Sequence, residues 1–228
     1  MAITIKNSTI DFLKKLSKNN NREWFNKHKT LYVAAHENVL AFVDALLSEM
    51  RRHDNIETRT AKDSLFRIYR DVRFSKDKSP YKTYWPGHFK RATKKLRGGY
   101  YFQIGPGETM AAGGFFMPDS KDVLRIRKDI DMNFNDWEKM LADKKIANTF
   151  GAIKGEMVAT SPRGFSKDNP AIELLKHKQF YFSRNFTDKE VVSNSFLKEM
   201  NHTFRNLRPY FDYMSEVLTT DANGVSLI

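Results

Sequence analysis

A chain of 228 residues that is 40% apolar and 13% aromatic can bury a substantial core, which excludes a disordered reading. The absence of cysteine excludes disulfides, thiolate metal sites and cysteine nucleophiles. A net charge of +12 favours anionic partners such as nucleic acid, nucleotides or an acidic protein, although the cations run from Lys6 to Arg208 and many only solvate the surface.

No run approaches the roughly 20 apolar residues of a membrane span, so no membrane partner is expected. The opening MAITIKNSTI lacks the charged-then-apolar order of a signal peptide. These features lead to the expectation of a cytoplasmic protein.

Ser8 or Thr9 is placed to cap a first helix carrying Ile10, Phe12, Leu13 and Leu16. The polar run 18–21 ends it, and Asn21 caps a second helix in which Trp24 and Phe25 read as core anchors. Leu31, Ala35, Val39, Phe42, Leu46 and Met50 keep helical spacing and predict a third, with residues 51–55 as its solvated end.

Residues 65–74 then alternate like a strand. Residues 84–90 predict another, with Pro86 confined to an edge or bulge because it cannot donate to a ladder. Residues 100–104 and 109–117 predict two more, joined at Gly105-Pro106-Gly107. Gly113-Gly114 marks a bulge or a close backbone approach.

Pro118-Asp119-Ser120 opens a helix with Val123, Ile126 and Ile130 on one face, and Asn135 caps a short one with Trp137 and Leu141. Residues 156–160 read as a strand. Asp168 or Asn169 caps a helix with Pro170 in its first turn, and residues 179–186 form a last strand. Thr187 to Glu190 has capping-box form. The stripe from Leu197 through Met200, Phe204, Leu207 and Phe211 to Leu218 predicts one long helix kinked at Pro209. No repeat or linker interrupts the chain. The fold class is α+β: a largely antiparallel sheet of about five or six short strands packed against N-terminal and C-terminal helices.

The densest mixture of charge and rings is at 65–85. In an extended strand Arg70 shares a face with Phe66, Ile68, Val72 and Phe74, while Arg67, Tyr69, Asp71 and Arg73 share the other. A guanidinium among apolar side chains must meet a carboxylate, carbonyls or a bound anion. The structural reading pairs Arg70 with Asp63 or a helical glutamate. The functional reading makes Arg67 and Arg73, with Lys78 or Lys82 from the following loop, a phosphate or carboxylate clamp. Tyr81, Tyr84 and Trp85 would then stack on a base or sugar. Arg163, with Gly164 and Lys167 ahead of a helix start, is a second anion-site candidate.

Catalytic patterns are sparse. There is no P-loop, no dinucleotide fingerprint, no zinc-protease motif and no nucleophile elbow. The six histidines lack ligand spacing, so no metal site is predicted and no cofactor is assigned. Asp71 and Tyr81 are the candidates for proton transfer.

Arg67-x-x-Arg70-Asp71-x-Arg73-Phe74-x-x-Asp77-Lys78-x-x-Tyr81 resembles the signature of a mainly bacterial family of conserved hypothetical proteins, a domain of unknown function. Residues 21–25, Gly113-Gly114 with Met117-Pro118, and residues 162–165 support the resemblance. It implies a single domain over 1–228 with no assigned activity. Where members often carry histidine after the Pro-Tyr-Lys-Thr run, this chain has Tyr84. Three readings follow: a binding domain gripping a phosphorylated or polyanionic ligand (nucleotide or nucleic acid) through residues 67–82, an enzyme acting on a phosphorylated small molecule through Asp71 or Tyr81, and a protein-interaction module whose signature is a structural core.

Overall fold

The computed structural model describes residues 3–221 and 224–228. Its first helix, α1 (Asn7–Lys18), buries Ile10, Phe12, Leu13 and Leu16 as their spacing requires. Neither Ser8 nor Thr9 caps it. Lys6 holds the N-cap position, and Thr9 is buried, donating its hydroxyl to Asn38 Oδ1 at 2.8 Å. Asn21 does cap α2 (Arg22–Lys27), accepting the Trp24 N–H at 2.9 Å. The 22-residue α3 (Lys29–Met50) is long and apolar enough to cross a membrane by length and composition alone. Its Val39, Phe42, Val43 and Leu46 are wholly buried and it packs against α1, which makes it a core helix. A Thr60–Asp63 capping box starts the single turn α4 (Ala61–Ser64).

Four strands, β1 (Trp85–Lys90), β2 (Gly99–Ile104), β3 (Thr109–Phe115) and β4 (Phe180–Phe186), form one antiparallel sheet in the order β1-β2-β3-β4. This α+β architecture matches the expected class with fewer strands than the five or six anticipated. The difference lies in two segments. Residues 65–74 make only isolated bridges, Leu65 to Gly87 and Tyr69 to Tyr81, because the chain bends at Ile68 between them, and beyond Arg70 the Asp71 carboxylate captures the Arg73 N–H at 3.2 Å in a local turn. Near residue 156 the Gln179 side chain, not its backbone, accepts the Glu156 N–H (3.1 Å), and only Lys154 and Met157 make bridges. Pro86 lies on the edge strand β1, the position where a missing donor is tolerated. β2 and β3 are joined by the Gly105–Glu108 turn, closed by the Glu108 N–H to Gly105 O bond of 3.2 Å.

Asp119 caps α5 (Ser120–Met132), accepting the N–H groups of Lys121 and Asp122. The next helix, α6 (Phe134–Leu141), follows Asn133, and Asn135 lies inside it rather than at its cap. Trp137 on α6 is fully buried. A further helix, α7 (Lys144–Phe150), is capped by Asp143 and falls outside the expected elements. The short α8 (Ile172–Leu175) starts after Pro170, and Asn169 accepts the Ala171 N–H at 2.8 Å. The expected capping box at Thr187 opens α9 (Asp188–Val191). The long apolar stripe is carried by two helices, α10 (Phe196–Asn206) and α11 (Arg208–Thr219). Pro209 has no N–H for the carbonyl four residues back, so the ladder breaks at Leu207 and proline sits in the first turn of the new helix.

The chain divides into two compact units: Met1–Phe89 with Tyr101–Ala111 and Asn185–His202, and Lys90–Tyr100 with Ala112–Arg184 and Thr203–Ile228. The first has an aromatic core in which Phe42 stacks on Phe196 at 5.1 Å and Phe89 meets Phe102 at 5.3 Å. In the second, Tyr100 packs edge-on against Phe204 and Phe211, and Tyr210 donates its hydroxyl to Phe180 O at 2.8 Å. The second unit also holds the arginine seated among apolar groups. That residue is Arg91, 1% exposed, and not Arg70. It donates to Asp212 Oδ1 (3.0 Å), Arg97 O (2.9 Å) and Ser215 Oγ (3.2 Å), with its guanidinium 5.1 Å from the Phe211 ring.

Candidate functional site

Residues 65–85, within the first unit, fold back on themselves. The Arg70 N–H donates to Pro80 O at 2.9 Å and the Lys82 N–H to Ile68 O at 2.7 Å. This pairing brings Arg70 on one arm and Lys82 on the other to a single groove of about 500 Å³. Ser17, Asn20, Ser79, Thr83 and Tyr84 also line it, as do Asp71, Asp77 and Tyr81.

Asn20 fixes the end of α1 to this hairpin. Its side-chain amide donates to Tyr81 O (2.9 Å) and accepts from Tyr81 N (3.1 Å), satisfying both backbone groups of one residue. The Tyr81 ring stacks on Phe25 at 4.0 Å and 13°. Burial, then the neighbouring Tyr69, raises its phenol above the ordinary value. Tyr81 is therefore a wall of the groove, poorly suited to lose a proton near neutral pH.

The charges in the groove are unequally satisfied. Arg70 donates to the Asp77 carboxylate and to Ser79 O (3.1 Å). Asp77 also accepts from Ser79 Oγ (2.6 Å) and Ser79 N (2.9 Å), so its carboxyl is lowered to about 2, by Ser79 first and then by Arg70. Arg73 forks onto Asp71, with contacts of 2.7 and 3.1 Å, which pulls that carboxyl below its usual range. Lys82 differs. Its ammonium donates to two carbonyls, Arg67 O (2.7 Å) and Tyr69 O (2.5 Å), and among the described residues no carboxylate pairs with it. Burial, followed by the charges of Arg67 and Arg70, lowers its pKa. Behind Thr83, Glu108 is hydrogen-bonded by the Thr83 hydroxyl and by Gln103 Nε2 (3.0 Å), and burial raises its carboxyl.

Of the other residues singled out in the sequence, Arg67 is exposed and contributes its carbonyl, not its guanidinium, to holding Lys82. Arg73 is committed to Asp71, and Lys78 Nζ donates to Val72 O at 2.9 Å. None of these three lines the groove. Arg163 is exposed and belongs to the second unit, ahead of an α8 too short to present an anion-binding end. Trp85, expected to stack on a ligand, is 1% exposed and packs on Tyr32 at 5.7 Å, whereas Tyr84 is half-buried at the groove. Among the described residues no group of three or more His, Asp or Glu could hold a metal ion.

The family model described as a conserved hypothetical protein, DUF2461, matches residues 8–213. The chain belongs to that family. No curated protein and no solved structure matches it. The matched span contains every groove residue from Ser17 to Tyr84, and Arg163 as well.

Ser17, Asn20, Ser79 and Thr83 are the groove residues that the sequence reading missed. Asn20 sits in the polar run that marks the end of α1, which was its only local signal. Its partner Tyr81 lies 61 residues away, a contact that no spacing rule supplies.

A pH titration checks the groove's electrostatics. Asp77, depressed in the folded protein below the roughly 3.9 of a free aspartate, contributes to the order of the loop at all pH above that value. That contribution is lost as pH falls towards 2. The expected result is an Asp77 carboxyl shift by NMR with a midpoint near 2, accompanied by loosening of the Ser79 amide. A midpoint near 4 would show that the Ser79 and Arg70 bonds do not hold in solution.

Proposed function

We propose that this domain binds a small phosphorylated ligand in the groove between residues 70 and 82. Lys82 carries the reading: its ammonium is positioned by two carbonyls, lacks a carboxylate partner among the described residues, and faces like charge from Arg67 and Arg70. A phosphate would supply the missing counter-charge, with Arg70 beside it, while the hydroxyls of Ser17, Ser79 and Thr83, which already donate to Lys14 O, Asp77 and Glu108, are left to accept from other polar groups of the ligand. The cavity's size falls in the ordinary range for small-molecule sites, roughly 300–1,000 Å³. Asp71 and Asp77 in the same lining disfavour a long polyanion inside the groove and suit a ligand that also carries hydroxyl or amino groups. A cytoplasmic setting fits such a ligand.

The enzymatic alternative has weaker support. Asp71 is exposed, tied to Arg73 and lowered, which makes it a poor base, and Tyr81 is shifted away from proton donation near neutrality.

Calorimetric titration with inorganic pyrophosphate and with nucleoside phosphates tests the proposal. The wild type should bind with modest salt dependence, and Lys82→Met should weaken binding by about tenfold or more, as expected for loss of one charge-assisted hydrogen bond. Equal affinity in the two proteins would remove Lys82, and the proposal with it.

A further inference from the structure

We infer that the outer side of residues 66–78 is a separate binding surface for single-stranded nucleic acid, with bases stacking on Phe66, Tyr69 and Phe74 and phosphates meeting Arg67, Lys76 and Lys78. This goes beyond the groove. The rings in question are not those of the groove wall, and none of the three lines it.

Phe74 is 96% exposed, Tyr69 53% and Phe66 47%, while Ile68 in the same stretch is 2% exposed. The segment thus buries Ile68, half-buries Val72 and leaves three rings exposed, of which Tyr69 also leans on the Tyr81 ring at 5.4 Å and 45°. Single exposed apolar residues are common and need no explanation. Here the rings are interleaved with exposed cations. Arg67, Arg73, Lys76 and Lys78 are all exposed, and the Arg73 guanidinium lies 5.9 Å from the centroid of the Phe74 ring. Phe66 is already stacked on the exposed His88, at 5.2 Å and 28°. With Arg70 and Arg73 answered by Asp77 and Asp71, the exposed Arg67, Lys76 and Lys78 leave the segment a net positive charge that complements a phosphate backbone.

This combination selects an unpaired strand. Exposed rings gain from bases whose faces are free, whereas a duplex offers only its backbone and groove edges to such a loop. A membrane surface is the other partner that rings and cations attract. It is disfavoured because Ile68 is buried and Val72 half-buried, leaving no aliphatic wedge beside the rings.

Fluorescence anisotropy with a labelled oligothymidine, a labelled oligouridine and a duplex of equal length tests the inference, alongside sedimentation with phosphatidylserine vesicles. The full chain should bind the single strands more tightly than the duplex. Phe74→Ala and Phe66→Ala should each weaken single-strand binding by roughly five- to a hundredfold, with circular dichroism confirming that both variants fold. Equal affinity for single strand and duplex, or unchanged binding in Phe74→Ala, would overturn the stacking surface. Vesicle binding lost in Phe74→Ala, with no single-strand binding, would overturn it in favour of a membrane.

Discussion

Replacing Arg91 with alanine is expected to lower the unfolding free energy by about 3 kcal/mol, the low end of the range for breaking a buried ion pair. The Arg91 side chain is wholly shielded from solvent, and its loss takes the donor from Arg97 O, while the Ser215 hydroxyl keeps only the Arg97 N–H at 2.9 Å. Asp212 is spared the worst consequence, because it is 52% exposed and still accepts from Arg208 at 3.1 Å. Urea denaturation should therefore show a lower midpoint with an unchanged slope. Arg70→Ala provides the contrast. Its side chain is 26% exposed and its partner Asp77 61% exposed, so the cost should stay within about 1 kcal/mol. A larger loss in the Arg70 variant than in the Arg91 variant would reverse this assignment of the structural arginine.

Gly114→Ala should damage the second unit more severely. Gly114 lies in β3 with φ of +137°, where a side chain adds strain of about 1–3 kcal/mol. Its new Cβ would also run into Phe180 O and stand 2.6 Å from Tyr181 Cα on β4. Both are backbone atoms of the adjacent strand, so relief requires parting the ladder, and overpacking adds about 1–3 kcal/mol. The expected result is little folded protein at ambient temperature, or a thermal midpoint lowered by many degrees. A variant that melts with the wild type would mean that β3 and β4 are not in such close contact.

Features written in neighbouring residues were legible without a structure. The Asn21 cap, the capping box from Thr187 to Glu190, the edge position of Pro86 and the strand at Phe180–Phe186 each depend on chemistry within a few residues. The approach at Gly113-Gly114 was legible for the same reason. Failures came where distant partners decide. Alternation at 65–74 predicts an apolar face around Arg70, yet Phe66 and Phe74 are exposed, because the segment bends at Ile68 and again where Asp71 captures the Arg73 N–H. Arg91 sits between Lys90 and Lys94 in a basic run that reads as solvated surface, and only its partners on α11 reveal that it is buried. The apolar stripe at 197–218 is present and largely buried, but its division into α10 and α11 depends on one missing proline N–H.

The candidate site was legible in part. The stretch 65–85 does form a groove, and Arg70, Asp71, Tyr81 and Lys82 line it. Which cation remains unanswered was beyond the sequence, because Lys82 acquires its character from the carbonyls of Arg67 and Tyr69. Intramolecular partners take Arg70 and Arg73, the residues with the strongest claim from composition.

The most direct measurement is a proton–nitrogen NMR titration of the wild type and Lys82→Met with inorganic pyrophosphate. Saturable shifts confined to Asn20, Ser79, Lys82 and Thr83 in the wild type, and absent from the variant, are the predicted result. Non-saturating shifts spread over exposed lysines such as Lys62 and Lys94, the same in both proteins, would contradict it.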